Sequence, residues 1–157
     1  MLFRSVGLGV VVREGAAIPD VSTAEAVKEA LTGARAIAFT DPKLGGTSVI
    51  HLMKIADSFG IKDAVMQKGV PATGGNDAVA KVAGGQADIA IVLMSEIHAK
   101  GAKLVAPLPE PIQLWTVYAA AIPMNSPDPG NARALIATLT APAMRERWIK
   151  AGWQPAQ

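Results

Sequence analysis

Two stretches of this 157-residue chain combine glycines, hydroxyls and amides at spacings suited to holding an anion. In Thr40-Asp41-Pro42-Lys43-Leu44-Gly45-Gly46-Thr47-Ser48, Gly45 and Gly46 let backbone N–H groups approach a ligand closely, while Thr47 and Ser48 add hydroxyl donors. In Pro71-Ala72-Thr73-Gly74-Gly75-Asn76-Asp77, the residues Gly74, Gly75 and Asn76 repeat the arrangement. If each stretch leaves a strand and opens a helix, the unpaired N–H groups of the first turn and the positive end of the helix dipole face the ligand. The competing reading is a glycine-rich turn in which Thr47, Ser48, Asn76 or Asp77 serves only as a helix cap. The first stretch lacks the Lys that a phosphate-binding P-loop carries after its glycines.

Other chemistry is thinly represented. Gly7-Leu8-Gly9 has Val12 where the third glycine of a dinucleotide fingerprint belongs. There is no Cys, and His51 and His98 have no partner at metal-ligand spacing, so no disulfide, thiol nucleophile or zinc site is expected. No paired carboxylates and no nucleophile with a spaced base stand out, which predicts no catalytic residue, no metal and no cofactor. Ser95-Glu96 follows an apolar run and reads either as a helix cap or as part of a cleft wall.

The elements that must position these residues alternate along the chain. Val6 to Val12 is a β-branched apolar run, the mark of a buried strand. Ser22 and Glu25 form a capping box for a helix ending at Gly33, and Ala36 to Thr40 reads as a strand. A helix from about Thr47 places Val49, Leu52, Met53, Ala56 and Phe59 on one stripe before Gly60. Ala64 to Gln67 reads as a weak strand, and Asn76 or Asp77 caps a helix through Val79 and Val82 to Gly84-Gly85. Ile89 to Leu93 is the clearest strand. A short helix from Ser95 toward Lys100 and strands at Lys103–Val105 and Leu114–Ile122 follow, the last two separated by Pro107, Pro109 and Pro111. Two helices close the chain, one from about Asn131 to Leu139 and one from Pro142 to Gly152. Strands alternating with helices predict an α/β fold with a mainly parallel central sheet, whose ligands gather at the carboxyl ends of the strands. Trp115, Trp148 and Trp153 are expected to pack.

Composition narrows the partners. Hydrophobic residues make up 50% of the chain and charged residues 18%, with 15 Gly and 11 Pro, as in a folded domain with many tight turns. The net charge of +2 comes from scattered Lys and Arg, so nucleic acid is not expected as a partner. Arg4 follows Leu2 and Phe3, and the run from Val6 is short and broken by Gly7 and Gly9, which reads as neither a signal peptide nor a membrane span. The segment after Pro111 is too small for a core of its own and must pack elsewhere, with Val6 to Val12 as the available surface.

In order along the chain, Val6-Gly7-Leu8-Gly9-Val10-Val11-Val12-Arg13-Glu14-Gly15, Ala36 to Pro42 with Gly45-Gly46-Thr47-Ser48, Gly74-Gly75-Asn76-Asp77, Ala87 to Val92 and Leu139-Thr140-Ala141-Pro142 resemble the type II periplasmic solute-binding proteins, in the group similar to the molybdate binders. The resemblance implies residues 1–16 as an outgoing hinge strand and 17–110 as a second ligand-binding lobe. It implies 111–157 as a return strand with closing helices of a first lobe, most of which, roughly eighty residues, would precede Met1. It further implies a small-molecule ligand held near Gly45, Gly46, Thr47, Ser48, Gly74, Gly75 and Asn76, a membrane permease of an ABC transporter as partner, and a periplasmic location. An oxyanion is favoured because the helix mouths supply donors and no acidic residue is expected beside them. Molybdate binders carry a ligand-contacting Tyr where this chain has Leu93 or Met94. Rival readings are the effector domain of a LysR-type regulator, which shares the fold, and a truncated product forming a homodimer through its exposed lobe interface. An enzyme on this scaffold, such as prephenate dehydratase, lacks support because that family's Thr-Arg-Phe motif is absent.

Overall fold

The apolar run near the start of the chain lies within a long strand, β1 (Leu2–Arg13), in the computed structural model, which describes residues 2–155. By internal packing the chain divides into two units, residues 7–114 and residues 1–6 with 115–157, so β1 serves one unit with its opening residues and the other with the rest.

In the 7–114 unit, α1 (Ala24–Gly33), β2 (Ile37–Thr40), α2 (Thr47–Ser58), α3 (Lys62–Gln67), β3 (Gly69–Ala72), α4 (Gly75–Ala83), β4 (Ile89–Leu93) and β5 (Ala102–Pro107) follow β1. The sheet runs β3-β2-β4-β1-β5. It is mixed: β2 is parallel to both β3 and β4, whereas β1 enters between β4 and β5 antiparallel to each. The α/β class expected from the alternation is present, and the antiparallel part is confined to the pairings of β1.

Both faces of the sheet are covered, which explains why its central strands are apolar at every position rather than alternately. Leu8, Val10 and Val12 pack with Val27 and Leu31 of α1 and Val49 and Leu52 of α2. On the other face, Val11, Ala38, Ala90 and Val92 meet Ala78, Val79 and Val82 of α4. Each fully buried Val or Leu contributes roughly 1.5–3 kcal/mol, so these two layers are the main source of stability.

Local details differ from the expectations in instructive places. Thr23, not Ser22, caps α1: its Oγ1 accepts the Ala26 N–H at 3.1 Å, while the Ser22 N–H donates to Asp20 Oδ1 at 2.9 Å. The expected weak strand Ala64–Gln67 is part of α3, anchored by the buried Val65, and the strand follows it as β3. The helix expected from Ser95 is a single 3₁₀ turn, Met94–Glu96.

In the other unit, β6 (Trp115–Ala119), α5 (Pro129–Thr140), α6 (Arg145–Lys150) and β7 (Gln154–Pro155) follow. Both strands pair with β1, β7 opposite Arg4 and Ser5. Asp128 caps α5 through the Asn131 N–H at 2.9 Å, with Pro129 at the first helical position. The Trp148 indole N–H donates to Leu139 O at 2.9 Å, and Trp153 meets the rings of Trp148 and Tyr118 edge-on at 6.0 and 4.9 Å. Neither α5 nor α6 has a buried residue, and Leu135 and Ile149 are exposed. Among the described residues, no helix is long and apolar enough to cross a membrane.

Candidate functional site

The parallel register decides where the candidate residues meet. Thr40 at the end of β2 stands opposite Ala72 at the end of β3, and Ala38 stands opposite Ala90 of β4. The three strands therefore end at one edge of the sheet, and the chain leaves each of them into one of the segments singled out above. The first two segments are tied at their roots, since the Asp41 N–H donates to Ala72 O at 2.8 Å.

After β2, Asp41 Oδ1 accepts the Lys43 N–H at 2.9 Å and caps a 3₁₀ turn, Pro42–Leu44. Gly45 (φ 72°) and Gly46 (φ 117°) then turn the backbone through conformations that favour glycine and deliver it into α2. Gly46 is the N-cap, and no side chain caps the helix. The first helical bond at this end is Ile50 N–H to Gly46 O at 3.1 Å, which leaves the N–H groups of Thr47, Ser48 and Val49 without intrahelical partners. Thr47 is exposed, whereas Ser48 is only 8% exposed, as is Thr40 at the end of β2. Neither hydroxyl hydrogen-bonds to a described residue. Among the described residues Thr116 Oγ1 is the one fully enclosed side-chain polar atom without a partner, so the Thr40 and Ser48 hydroxyls keep an opening to the outside. Buried hydroxyls are normally satisfied, and the unpartnered Ser48 hydroxyl in the first turn of an uncapped helix is suited to receiving an anion. The purely structural reading, with Thr47 or Ser48 as cap, does not describe α2.

After β3, the resemblance between the two glycine pairs breaks down. Gly74 (φ 172°) is extended backbone open to any residue, and Gly75 is the first residue of α4. Neither Asn76 nor Asp77 is the N-cap; that position is Gly74, again without a side-chain cap. Asn76 is exposed, and Asp77 reaches back to accept the Thr73 N–H at 2.8 Å and its hydroxyl at 3.2 Å. The Thr73 N–H, followed by Lys81 as counter-charge, holds the Asp77 carboxyl below its ordinary range.

What requires glycine at position 75 is the third segment. A Cβ there would fall inside the Glu96 carboxylate, with Oε2 nearest. Glu96 turns back from the 3₁₀ turn after β4, and its Oε2 accepts the Leu93 N–H at 3.1 Å. Burial pushes its carboxyl above the ordinary glutamate range, and the Leu93 N–H offsets this only in part. The expectation that no acidic residue stands beside the helix mouths is therefore corrected. Glu96 was identified in the sequence as a cap or a cleft residue, and it caps Leu93 while lying against α4. Only the pairing of a helix-opening Gly75 with a Glu 21 positions later hinted at this, and no local signal links them.

The remaining sequence candidates take structural roles. His51 Nε2 lies 2.8 Å from Ile112 O and His98 is exposed. Among the described residues no group of His, Cys, Asp and Glu is arranged to hold a metal ion.

The sequence matches the profile of the family described as bacterial extracellular solute-binding protein over residues 3–154. A curated relative from Pseudomonas sp., named aconitate isomerase, is 30% identical over 138 residues, which is 85% of this chain. The chain spans about half the length of that relative, 50%. Among solved structures, the substrate-binding domain ascribed to a molybdenum ABC transporter of Clostridium difficile superposes with a TM-score of 0.77 at 16% identity, covering all of this chain and 66% of the other. The periplasmic molybdate-binding protein of Azotobacter vinelandii gives 0.64 at 19% identity, again over the whole chain and 68% of the other. At these identities the superpositions establish the fold, that of a periplasmic-binding-protein lobe. With a profile match that runs through both units of the structure, this chain belongs to the bacterial extracellular solute-binding proteins.

Proposed function

We propose that this chain is the solute-binding component of a bacterial ABC-type uptake system, working outside the cytoplasmic membrane and passing a small anionic ligand to a membrane permease without making or breaking bonds. The observation that carries the reading is the uncapped start of α2, where the N–H groups of Thr47, Ser48 and Val49 have no intrahelical partner and the buried Ser48 hydroxyl has none among the described residues. Gly45 and Gly46 shape that mouth, and Gly74, Gly75 and Asn76 form the neighbouring one. In this reading residues 1–16 are the outgoing hinge strand, 17–110 the ligand-binding lobe, and 111–157 the return strand with closing helices.

The test is a titration of the isotope-labelled protein with sulfate, phosphate and molybdate, followed through backbone amide signals. Saturable shifts at Gly45 to Val49 are expected. Ser48→Ala should weaken binding about five- to tenfold while leaving stability within about 0.5 kcal/mol, because its hydroxyl has no partner to lose. No shift at those amides with any oxyanion would reject the reading.

A second reading is favoured by one observation, the half-buried Glu96 with its raised carboxyl pKa, together with the name of the curated relative. On that reading Glu96 carries a proton in an isomerisation of an unsaturated carboxylic acid. Incubation with cis- and trans-aconitate in heavy water separates the two: solvent deuterium entering the substrate supports the isomerase, and unchanged substrate supports the binder.

A further inference from the structure

The edge of the sheet opposite the helix mouths carries a charge arrangement that the proposed function does not use. Ile89 of β4 stands opposite Ile37 of β2 on one side and Val12 of β1 on the other. The residues just before β2 and β4 therefore meet the one that follows Val12. Arg13, Arg35, Gly85 and Asp88 line a single cavity of about 240 Å³ there, with Ala16 and Ala17 as apolar wall. Asp88 is already engaged: its Oδ1 accepts from Arg35 Nη2 at 2.8 Å, and its Oδ2 accepts the N–H groups of Arg35 at 2.8 Å and Ala36 at 3.3 Å. Those bonds orient the Arg35 guanidinium and neutralise one of the two cations. The Arg13 side chain has no hydrogen-bond or ion-pair partner among the described residues. It is nevertheless placed, since a Cβ at Gly85 would lie 3.3 Å from its Nη1, which puts the guanidinium against the turn between α4 and β4. Two guanidiniums and one carboxylate leave the cavity with one uncompensated positive charge.

We infer that this cavity is a second ligand site, separate from the helix mouths, which takes a compact monocarboxylate on Arg13 beside the Arg35–Asp88 pair. Charge selects the class. A monoanion balances the surplus cation, whereas a dianion such as sulfate brings an additional negative charge next to Asp88. Shape points the same way, because a planar carboxylate matches the forked N–H donors of a guanidinium. The volume lies just below the roughly 300 Å³ at which pockets for larger organic ligands begin, which limits the guest to a few carbon atoms. Ala16 and Ala17 give a short hydrocarbon end an apolar surface to cover. The inference does not depend on what the helix mouths bind.

Butanoate and sulfate, titrated separately into the isotope-labelled protein at about pH 7 and constant ionic strength, provide the test. Saturable butanoate shifts are expected at the amides of Arg13, Ala16, Ala17, Arg35, Gly85 and Asp88, with a dissociation constant on the order of 1–10 mM. Sulfate should bind this group of residues at least about tenfold more weakly, whatever it does at Gly45 to Val49. Arg13→Gln should weaken butanoate binding here at least about tenfold. The variant gives up no hydrogen bond, and a dispersed spectrum matching the unaltered protein elsewhere verifies its fold. Three results overturn the inference: butanoate shifts at these amides that stay linear to about 100 mM, as for a solvated surface arginine; equal binding of sulfate in this cavity; or butanoate binding that survives Arg13→Gln. Shifts confined to Gly45 to Val49 leave the proposed function standing and remove this second site, while saturation at the Arg13 cavity alone does the reverse.

Discussion

Gln113 supports a quantitative prediction. Its carboxamide makes four hydrogen bonds at once: Oε1 accepts the N–H groups of Leu8 and Leu114, both at 2.9 Å, and Nε2 donates to the carbonyls of Leu8 and Leu108, both at 3.0 Å. Leu8 and Leu108 are buried, so one side chain takes the place of ladder partners where β1 meets the chain beyond β5. Gln113→Glu keeps the shape and the two acceptor bonds but replaces the donor with an oxygen that faces two carbonyls. Losing two bonds at about 1 kcal/mol each, and turning an acceptor toward acceptors in a part-buried place, should cost roughly 2–4 kcal/mol. At about 2–4 °C per kcal/mol for a chain of this size, thermal unfolding followed by circular dichroism should shift down by roughly 5–15 °C at about pH 7. The introduced carboxyl has its pKa raised in the folded state by the carbonyls it faces. The folded state then binds the proton more tightly than the unfolded one, and the deficit shrinks as pH falls through the folded pKa toward the unfolded value of about 4.3. A Gln113→Glu protein within about 0.5 kcal/mol of the unaltered one at pH 7, or with a deficit that does not change between about pH 4 and 7, refutes this account.

Further predictions test the site. Gly75→Ala should destabilise by about 1–3 kcal/mol in urea unfolding, and the double variant with Glu96→Ala should recover most of that loss, because the added methyl group collides with that carboxylate. Gly46→Ala, at φ 117°, should cost about 1–2 kcal/mol, whereas Gly74→Ala, in extended backbone with open space around it, should be neutral or mildly stabilising in the same assay. Glu96 has its folded pKa raised, so its contribution is fully present below the ordinary value of 4.5 and is lost as pH rises through the folded pKa. Glu96→Gln should therefore raise the urea midpoint near neutral pH and flatten its dependence over that window.

Much of the architecture was legible because burial on both faces leaves a plain signature. The runs Val6–Val12, Ala36–Thr40 and Ile89–Leu93 are central strands without a charged residue, and each is found within or overlapping its strand. The strand that escaped, β3, has Gly69 and Pro71 among its four residues, a composition that argues against a strand unless it lies at an edge. Its true neighbour α3 is six residues long with one buried side chain, too short to show a helical period. The candidate site was legible only in part. Gly45-Gly46 and Gly74-Gly75 look alike as dipeptides, yet the first pair is required by backbone conformation and the second by a carboxylate from a distant turn. Torsion demands are local and can be anticipated from turn chemistry, whereas the Glu96 contact depends on tertiary placement. Gln113 was invisible for the same reason, since nothing near it in sequence announces the four partners.

The position of Pro71 has a consequence for solubility. A terminal strand offers its unpaired backbone groups to any other extended chain, and a growing row of such pairings is how sheets recruit one another into aggregates. Here the terminal strand β3 is only four residues long and one of them has no N–H to offer. At the opposite end of the sheet, β5 also stops at a proline, Pro107. The irregularity that hides β3 from a reading of the sequence thus protects the sheet from lateral growth.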